Sequence, residues 1–475
     1  MGNNPSALET CLSNVCGSRT GCVSFPSDPL YQINWVKPYN LAVDVTPLAV
    51  VRPNTAQEVS GIVKCASTAG VKVQAKSGGH SYANFGLGGG EDDLVAIDMV
   101  NFQQFSIDNT TWHATIGPGT KLGSVDDKLH AAGGRAFAHG ICPGVGVGGH
   151  ATIGGLGPMS RMWGAALDHV VEVEVVTADG SIVRASDQQN SDLFFALKGA
   201  GAGFGVITEF VFRTHPEPGD VVQYSYSFTF GNGEDLAKAY KLWQDVITDP
   251  DLDRRFGTEL VIYPLGVIIT GTFYGTKEEF EASGILDRLP QNGNGSLVIT
   301  DWLGSLTEWA EHEALYLSDT PTAFYSKSLA FKPEDALSDQ GAVDLFNYVE
   351  SADKGTLLWF IIFDASGGAV SDVPMNATAY AHRDKVMFYQ SYAIGLLEVS
   401  DSTRAFLTNF HNQLLKAAPA DVYGTYPGYV DPAVADGAAQ AEYWMTNLPA
   451  LETIKQKWDS ADLFHNPQSV RPATS

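Results

Sequence analysis

Basic residues are few: 29 lysines and arginines stand against 54 aspartates and glutamates, a formal charge of −25 over 475 residues. That surplus repels polyanions and argues against nucleic acid or an anionic membrane surface as a partner. A neutral, hydroxyl-rich ligand meets no such conflict. No apolar run approaches the roughly 18 residues that span a bilayer. Internal repeats and low-complexity segments are missing, which excludes solenoid and disordered architectures. The phosphate loop GxxxxGK[ST] is absent, and the GxGxxG-like match inside GVGVGGH lacks a strand-turn-helix setting, so a Rossmann-type dinucleotide site is not expected.

Cysteine is scarce too. Cys11, Cys16, Cys22 and Cys65 allow two disulfides in three possible pairings and leave Cys142 over. The opening MGNNPSALETCLSNVC has no signal-peptide-like apolar stretch, which leaves either a chain that has shed its targeting segment or an intracellular one. The clustered cysteines, with sequons at Asn109, Asn294 and Asn376, favour a secreted, extracellular protein.

A 44% hydrophobic chain of this length buries a substantial core and divides into two or three domains. TAQEVSGIVKCASTAG spaces Val59, Ile62, Val63 and Ala66 as a helix stopped by Gly70, and VKVQAK alternates as a strand. VVEVEVVTADGSIVRAS reads as two strands around Asp179-Gly180. After Pro216 come long alternating segments such as LVIYPLGVIITGTFYG and TLLWFIIFDASGG, interleaved with helical ones. This pattern predicts an α+β fold with a domain over 1–216, a second over 217–420 built on a large antiparallel sheet flanked by helices, and a C-terminal segment, 421–475, returning to the first.

Three glycine clusters stand out, at 77–90, 139–157 and 199–205. Glycine beside strands makes sense where backbone must approach a ligand closely or take positive φ, and successive N–H groups can cradle a pyrophosphate. His80 and Cys142 each sit in the middle of such a loop. With His139 and His150 they include zinc-ligand types, but their spacing matches no usual zinc site and no metal is expected.

The segments KSGGHSY (76–82), HGICPGVGVGGHATIGGLG (139–157), DLFFALKGAGAGFGVITEF (192–210), YGTYPGYVD (423–431) and KWDSADLFHNPQSV (457–470) together resemble the berberine-bridge-enzyme-like branch of the vanillyl-alcohol-oxidase, or PCMH-type, FAD flavoproteins. Within it the chain is most similar to the fungal gluco-, xylo- and chito-oligosaccharide oxidases, along nearly its entire length. The resemblance implies a PCMH-type FAD-binding domain and FAD bonded covalently through His80 to the 8α carbon and through Cys142 to C6. Lys76, Ser77, Gly78, Gly79, Ser81, Gly146, Gly149, His150, Gly154, Gly205 and Val206 match cofactor-binding positions. Val145 matches the position that gates oxygen at the flavin, in the form of the oxygen-reactive members. Ile153 departs from the glycine-rich pattern that often follows Gly-Gly-His.

The implied chemistry is oxidation of a reducing-end C1 hydroxyl to a 1,5-lactone, with oxygen reduced to hydrogen peroxide. A base must take the hydroxyl proton, and an isolated tyrosine with a pKa near 10 needs a neighbour's help. Tyr429 matches the catalytic tyrosine and Asp364 its carboxylate partner; Tyr423 and Tyr426 are rivals by proximity. Tyr82, Gln390 and Glu259 match substrate contacts, and Trp359, Trp444, Phe388 and Tyr389 are candidate sugar-stacking rings. A neutral xylo- or gluco-oligosaccharide and molecular oxygen are the expected partners of a monomer. The alternatives are a chito-oligosaccharide, an aromatic alcohol, polyphenol or alkaloid, and a sugar-binding protein without catalysis.

Overall fold

In the computed structural model, which describes residues 6–231, 233–290, 293–312, 320–396, 398–418 and 424–474, the helix Ala56–Ala69 starts where Thr55 accepts from the Glu58 amide. It ends at Gly70, whose φ of 71° is the left-handed geometry of a helix stop. Val59, Ile62, Val63 and Ala66 form its buried face. The face packs on strands β1 (Val23–Ser24), β2 (Ala49–Val51), β3 (Lys72–Lys76) and β4 (Leu94–Asp98), ordered β1-β2-β4-β3. The last three run parallel. The disulfides are Cys11–Cys65 and Cys16–Cys22; the first ties helix Ala7–Cys16 to Ala56–Ala69. Cys142 lies outside both.

A five-stranded sheet follows from β5 (Phe105–Ile107), β6 (His113–Ile116), β8 (Val170–Val176), β9 (Ile182–Ser186) and β10 (Val206–Arg213), ordered β5-β6-β10-β8-β9. The hairpin at Asp179-Gly180 joins β8 to β9, with Gly180 at φ 78°. A short ribbon pairs β7 (Arg135–Ala136) with β11 (His215–Pro216). Residues near the C-terminus return to this half: the Val73 amide donates to the Leu463 carbonyl.

The remaining strands, β12 (Val221–Thr229), β13 (Phe256–Tyr263), β14 (Gly266–Tyr274), β15 (Asn294–Thr300), β16 (Ala323–Phe331), β17 (Leu358–Ala365) and β18 (Met387–Gly395), form one antiparallel sheet ordered β15-β12-β14-β13-β17-β18-β16. Alternation gives it two distinct faces. Leu260, Ile262, Trp359, Ile361, Phe363 and Tyr389 enter a core with helices Gly233–Ile247, Asp339–Ser351 and Asp401–Ala417. Glu259, Val261, Phe360, Ile362, Asp364, Gln390 and Tyr392 occupy the opposite face, turned toward the glycine loops. The architecture is two-domain α+β, a large antiparallel sheet flanked by helices beside the half that carries those loops. Among the described residues no helix is long and apolar enough to cross a membrane.

Candidate active site

Two glycine loops touch backbone to backbone. A Cβ on Gly78 would clash with the Gly146 amide, and one on Gly146 would clash with Ser77 Oγ, so only glycine permits this approach. Ser77 Oγ donates to the Pro118 carbonyl at 2.5 Å, and Gly79 takes φ 82°. Ser81 Oγ accepts from the Phe85 amide, closing the turn after His80. In the second loop, Val145 donates from its amide to the Cys142 carbonyl at 3.2 Å and accepts from Leu122. The part of this loop from Val147 to Ile153 is a short helix. His150 is half-buried there, and Nε2 accepts from the Gly140 amide at 2.9 Å. Burial, and then His139, push its pKa down to about 3, so it stays a neutral acceptor that holds the loop.

Not every glycine lines this junction. Gly154, at φ 143°, abuts the rings of Tyr426 and Tyr380, and Gly149 faces open space. Gly205 lies against Val175 and the Val176 carbonyl, letting β10 begin beside β8, and Val206 is buried at that start.

A cavity of about 290 Å³ opens between Lys37, Arg52, Lys76, Ser77, Gly78 and Lys121. Lys76 Nζ and Arg52 Nε both reach Asp98 Oδ2, at 3.3 and 3.1 Å, while Asp98 Oδ1 is buried without a hydrogen-bond partner. Four cations around one cavity in so acidic a chain fit the pyrophosphate of a dinucleotide. Tyr39 links the two loops: its ring stacks on His80 at 4.5 Å between centroids, and it lies close enough to Cys142 to sense that group's charge. The residues present therefore fit FAD.

The open face of the large sheet meets these loops through Tyr82. Asn40 donates to the Tyr82 and Phe324 carbonyls at 2.8 and 3.2 Å, lashing the loop to β16. Tyr82 Oη then donates to Gln390 Oε1 at 3.1 Å. The Tyr82 ring is stacked with that of Tyr429 at 6.4 Å and edge-on to Phe324 and Tyr392. Tyr429 sits in a turn fixed from two sides: Ser328 Oγ donates to its carbonyl, and Lys327 pairs with Asp431 at 2.6 Å.

Tyr429 Oη donates to Asp364 Oδ2 at 3.1 Å. Burial first, and then the Asp364 charge, raise the Tyr429 pKa well above 10, so the phenol is neutral at rest. Burial pushes Asp364 up to about 6, opposed by hydrogen bonds from Tyr429 and Glu259. This is an arrangement in which a proton taken by the phenol oxygen is matched by one passed to the carboxylate. The rival Tyr426 accepts from the Gly155 amide through Oη at 2.8 Å and so is committed to the loop; Tyr423 lies outside the described residues.

Three of the four proposed stacking rings are elsewhere. Trp359 and Tyr389 point into the helix-covered core, where Trp359 meets Phe406 and Tyr389 meets Phe410. Trp444 packs in the other half and donates to the Gly199 carbonyl. Each obeys its strand or helix periodicity, which aromatic content alone could not reveal. Phe388 is on the open face beside Tyr426. Sequence reasoning missed Tyr39, Phe324 and Tyr392. Tyr392 shares Gln390's parity and was accessible to that argument; Tyr39 and Phe324 carry no local signal.

Among the described residues no group of three or more metal-ligating side chains is assembled. A dinucleotide cavity, covalently reactive residue types and a proton-accepting pair define an FAD-dependent oxidoreductase. The family profile described as an FAD binding domain matches residues 47–186, and that described as berberine and berberine like matches 405–471. The FAD-linked oxidoreductase sorD of Penicillium rubens is 38% identical over 470 residues, covering 98% of this chain and 99% of that protein. A xylooligosaccharide oxidase from Myceliophthora thermophila C1, solved in complex with xylobiose, has a TM-score of 0.91 at 32% identity, covering 99% of this chain and 100% of that one. A glucooligosaccharide oxidase from Acremonium strictum, solved for the functional roles of its 6-S-cysteinyl, 8α-N1-histidyl FAD, has a TM-score of 0.89 at 31% identity, covering 99% and 100%. The chain belongs to the berberine-bridge-enzyme-like branch of the PCMH-type FAD flavoproteins.

Proposed function

We propose that this protein is an extracellular oxidase that converts the reducing-end C1 hydroxyl of a neutral oligosaccharide to the 1,5-lactone and reduces oxygen to hydrogen peroxide. The observation that carries the reading is the 3.1 Å Tyr429–Asp364 hydrogen bond on the open sheet face, beside the Tyr82–Gln390 pair. When bound, FAD supplies the two-electron acceptor and the reaction with oxygen. His80 and Cys142 would hold it covalently, as the joined glycine loops and the linkages named for the A. strictum enzyme support. Lys76, Ser77 and Gly78, which line the cavity, would hold its phosphates. Val145, beside Cys142, would govern oxygen access.

Tyr429 Oη takes the substrate hydroxyl proton while its own proton moves to Asp364 Oδ2. Gln390 and Tyr82 orient the ring whose C1 reacts, and xylo- or gluco-oligosaccharides are favoured. The domain limits 1–216, 217–420 and 421–475 fit the start of the large sheet at Val221 and the return of Leu463 to β3. Two disulfides and three exposed sequons support an extracellular home.

A second reading, oxidation of an aromatic alcohol, polyphenol or alkaloid, is favoured by an apolar strip on the same face. Ile362 lies opposite both Gln390 and Val261, and Phe360 lies opposite Tyr392. An aromatic substrate body would find partners there that a hydroxyl-rich one would not. Anaerobic titration of the purified flavoprotein with xylobiose, cellobiose and an aromatic alcohol separates the two. Bleaching of the visible flavin band by a sugar supports the first reading, and bleaching only by the aromatic alcohol replaces it with the second.

A further inference from the structure

The helix Leu122–Ala131 holds the Cys142 loop from both sides. After the cysteine, its first amides take the loop: Leu122 donates to the Val145 carbonyl at 2.9 Å and Gly123 to the Pro143 carbonyl at 3.1 Å. Before the cysteine, and one turn further along the helix, Asp126 Oδ1 lies 2.8 Å from His139 Nε2. The other ring nitrogen, Nδ1, lies 2.8 Å from the Gly140 carbonyl. Gly140 is held at its other end too, its amide donating to His150 Nε2, and His169 Nε2 takes the Ala138 amide at 3.3 Å. The His139 side chain is only 2% exposed. Carbonyl and carboxylate oxygens accept and do not donate, so both nitrogens of His139 donate, and such a ring is an imidazolium. Burial opposes that charge, but the Asp126 carboxylate and the bond to Gly140 outweigh it and hold the pKa above its ordinary 6.5. Among the described residues the other titratable side chains facing it are His150 and His169, each pushed down to about 3 by burial first and by neighbouring cations after it. Neither competes for the proton. The rings of Phe137 and Trp302 stand edge-on to His139.

We propose that the buried Asp126–His139 ion pair positions Cys142 for the flavin: the imidazolium, anchored on the helix, sets the Gly140 peptide and through it the sulfur two residues on. The proposal rests on the reading of Cys142 as the second point of flavin attachment. In that attachment Cys142 gives up its thiol proton, and its sulfur takes the place of the hydrogen at flavin C6. The two electrons released, with both protons, leave on molecular oxygen as hydrogen peroxide. His139 is a positioning residue here and forms no bond to the flavin. His80 belongs to the other loop, whose turn is closed by its own bond from the Phe85 amide to Ser81 Oγ. Its link to the flavin therefore does not depend on the pair.

Peptide mass spectrometry of the purified flavoprotein reads the two links separately. In His139→Leu the His80 link should remain, while the yield of the Cys142 link should fall about tenfold or more, since a displacement of about 1 Å costs a bond-forming step roughly 10²-fold. Nitrogen-15 spectra of the histidine-labelled wild type at pH 7 should contain an imidazole protonated on both nitrogens that is missing from His139→Leu. Asp126→Asn keeps an acceptor but removes the charge, and it should lose that doubly protonated signal and part of the Cys142 link. A His139→Leu protein with both links intact overturns the proposal, because the pair then has no part in attachment. One that has lost both overturns it as well, because the pair is then a requirement of the fold alone. So does a wild type in which His139 carries a single ring proton at pH 7. The wild-type mass spectrum tests the underlying reading on its own: flavin joined through His80 alone refutes the second link and the proposal with it. If His139→Leu does not fold, Asp126→Asn and the wild-type nitrogen spectrum decide the matter.

Discussion

Two faces of one seven-stranded sheet are built from the same strands, yet they do opposite work. On the helix-covered face Trp359, Ile361, Phe363 and Tyr389 are at most 3% exposed and pack in an apolar core, with the Tyr389 hydroxyl donating to Ser391. Each such burial contributes about 1.5–3 kcal/mol to folding. On the other face, Glu259, Asp364 and Gln390 occupy the intervening positions and carry polar groups whose desolvation opposes folding. One residue of register separates Tyr389, a core ring, from Gln390, a partner of Tyr82. Chemistry on this fold is thus placed by strand parity, and stability and activity should separate along it.

The sharpest test is Tyr429→Phe. Loss of the phenol oxygen removes the proton acceptor, and general-base catalysis supplies about 10²- to 10⁴-fold, so the rate of flavin reduction in stopped flow should fall by that range. Stability should fall by only about 1.5–3 kcal/mol, the worth of one hydrogen bond to a charged acceptor. A near-normal rate would remove Tyr429 from its assigned role. From the opposite face, Phe363→Ala empties a position packed against Tyr240, Tyr389 and Phe410. It should cost about 3–5 kcal/mol in denaturant unfolding while the protein that remains folded reduces its flavin at close to the normal rate. A large rate loss there, without lost stability, would break the division between faces.

Much of this was legible in the sequence, unevenly so. The helix over 56–69, β3, the β8–β9 hairpin and β10 follow from period and glycine punctuation, because each is set by local spacing. The pairing of four cysteines was not, since three connectivities satisfy the count and only the approach of helices Ala7–Cys16 and Ala56–Ala69 selects one. Tyr429, Asp364 and Tyr82 came from motif resemblance, and the structure joins Asp364 and Tyr429, 65 residues apart, to Tyr82 from the first half of the chain. Trp359 and Tyr389 went astray because an aromatic in a strand reads alike on either face until the buried one is known. Tyr39 lies in a stretch with no motif, and its stacking on His80 depends on the Asn40–Asn84 contacts that fold that loop over.

The smallest effect expected is also the most diagnostic of what the open face costs. Burial raises Asp364 from 3.8 to about 6. Above pH 6 the native carboxylate is ionised in a site that disfavours its charge, whereas in the unfolded chain it ionises freely. The folded state is therefore penalised by on the order of 2–3 kcal/mol. As pH falls through 6 the native group takes up its proton and the penalty shrinks; below 3.8 both states are protonated and it is gone. Asp364→Asn, neutral throughout, should unfold at higher denaturant than the wild type at pH 8, and the advantage should fade toward pH 4. It should at the same time cripple flavin reduction, since the proton from Tyr429 has lost its acceptor. A stability difference that does not vary with pH would mean the Asp364 charge is already compensated in the folded protein, and the contrast between the two faces would then be one of shape and not of electrostatics.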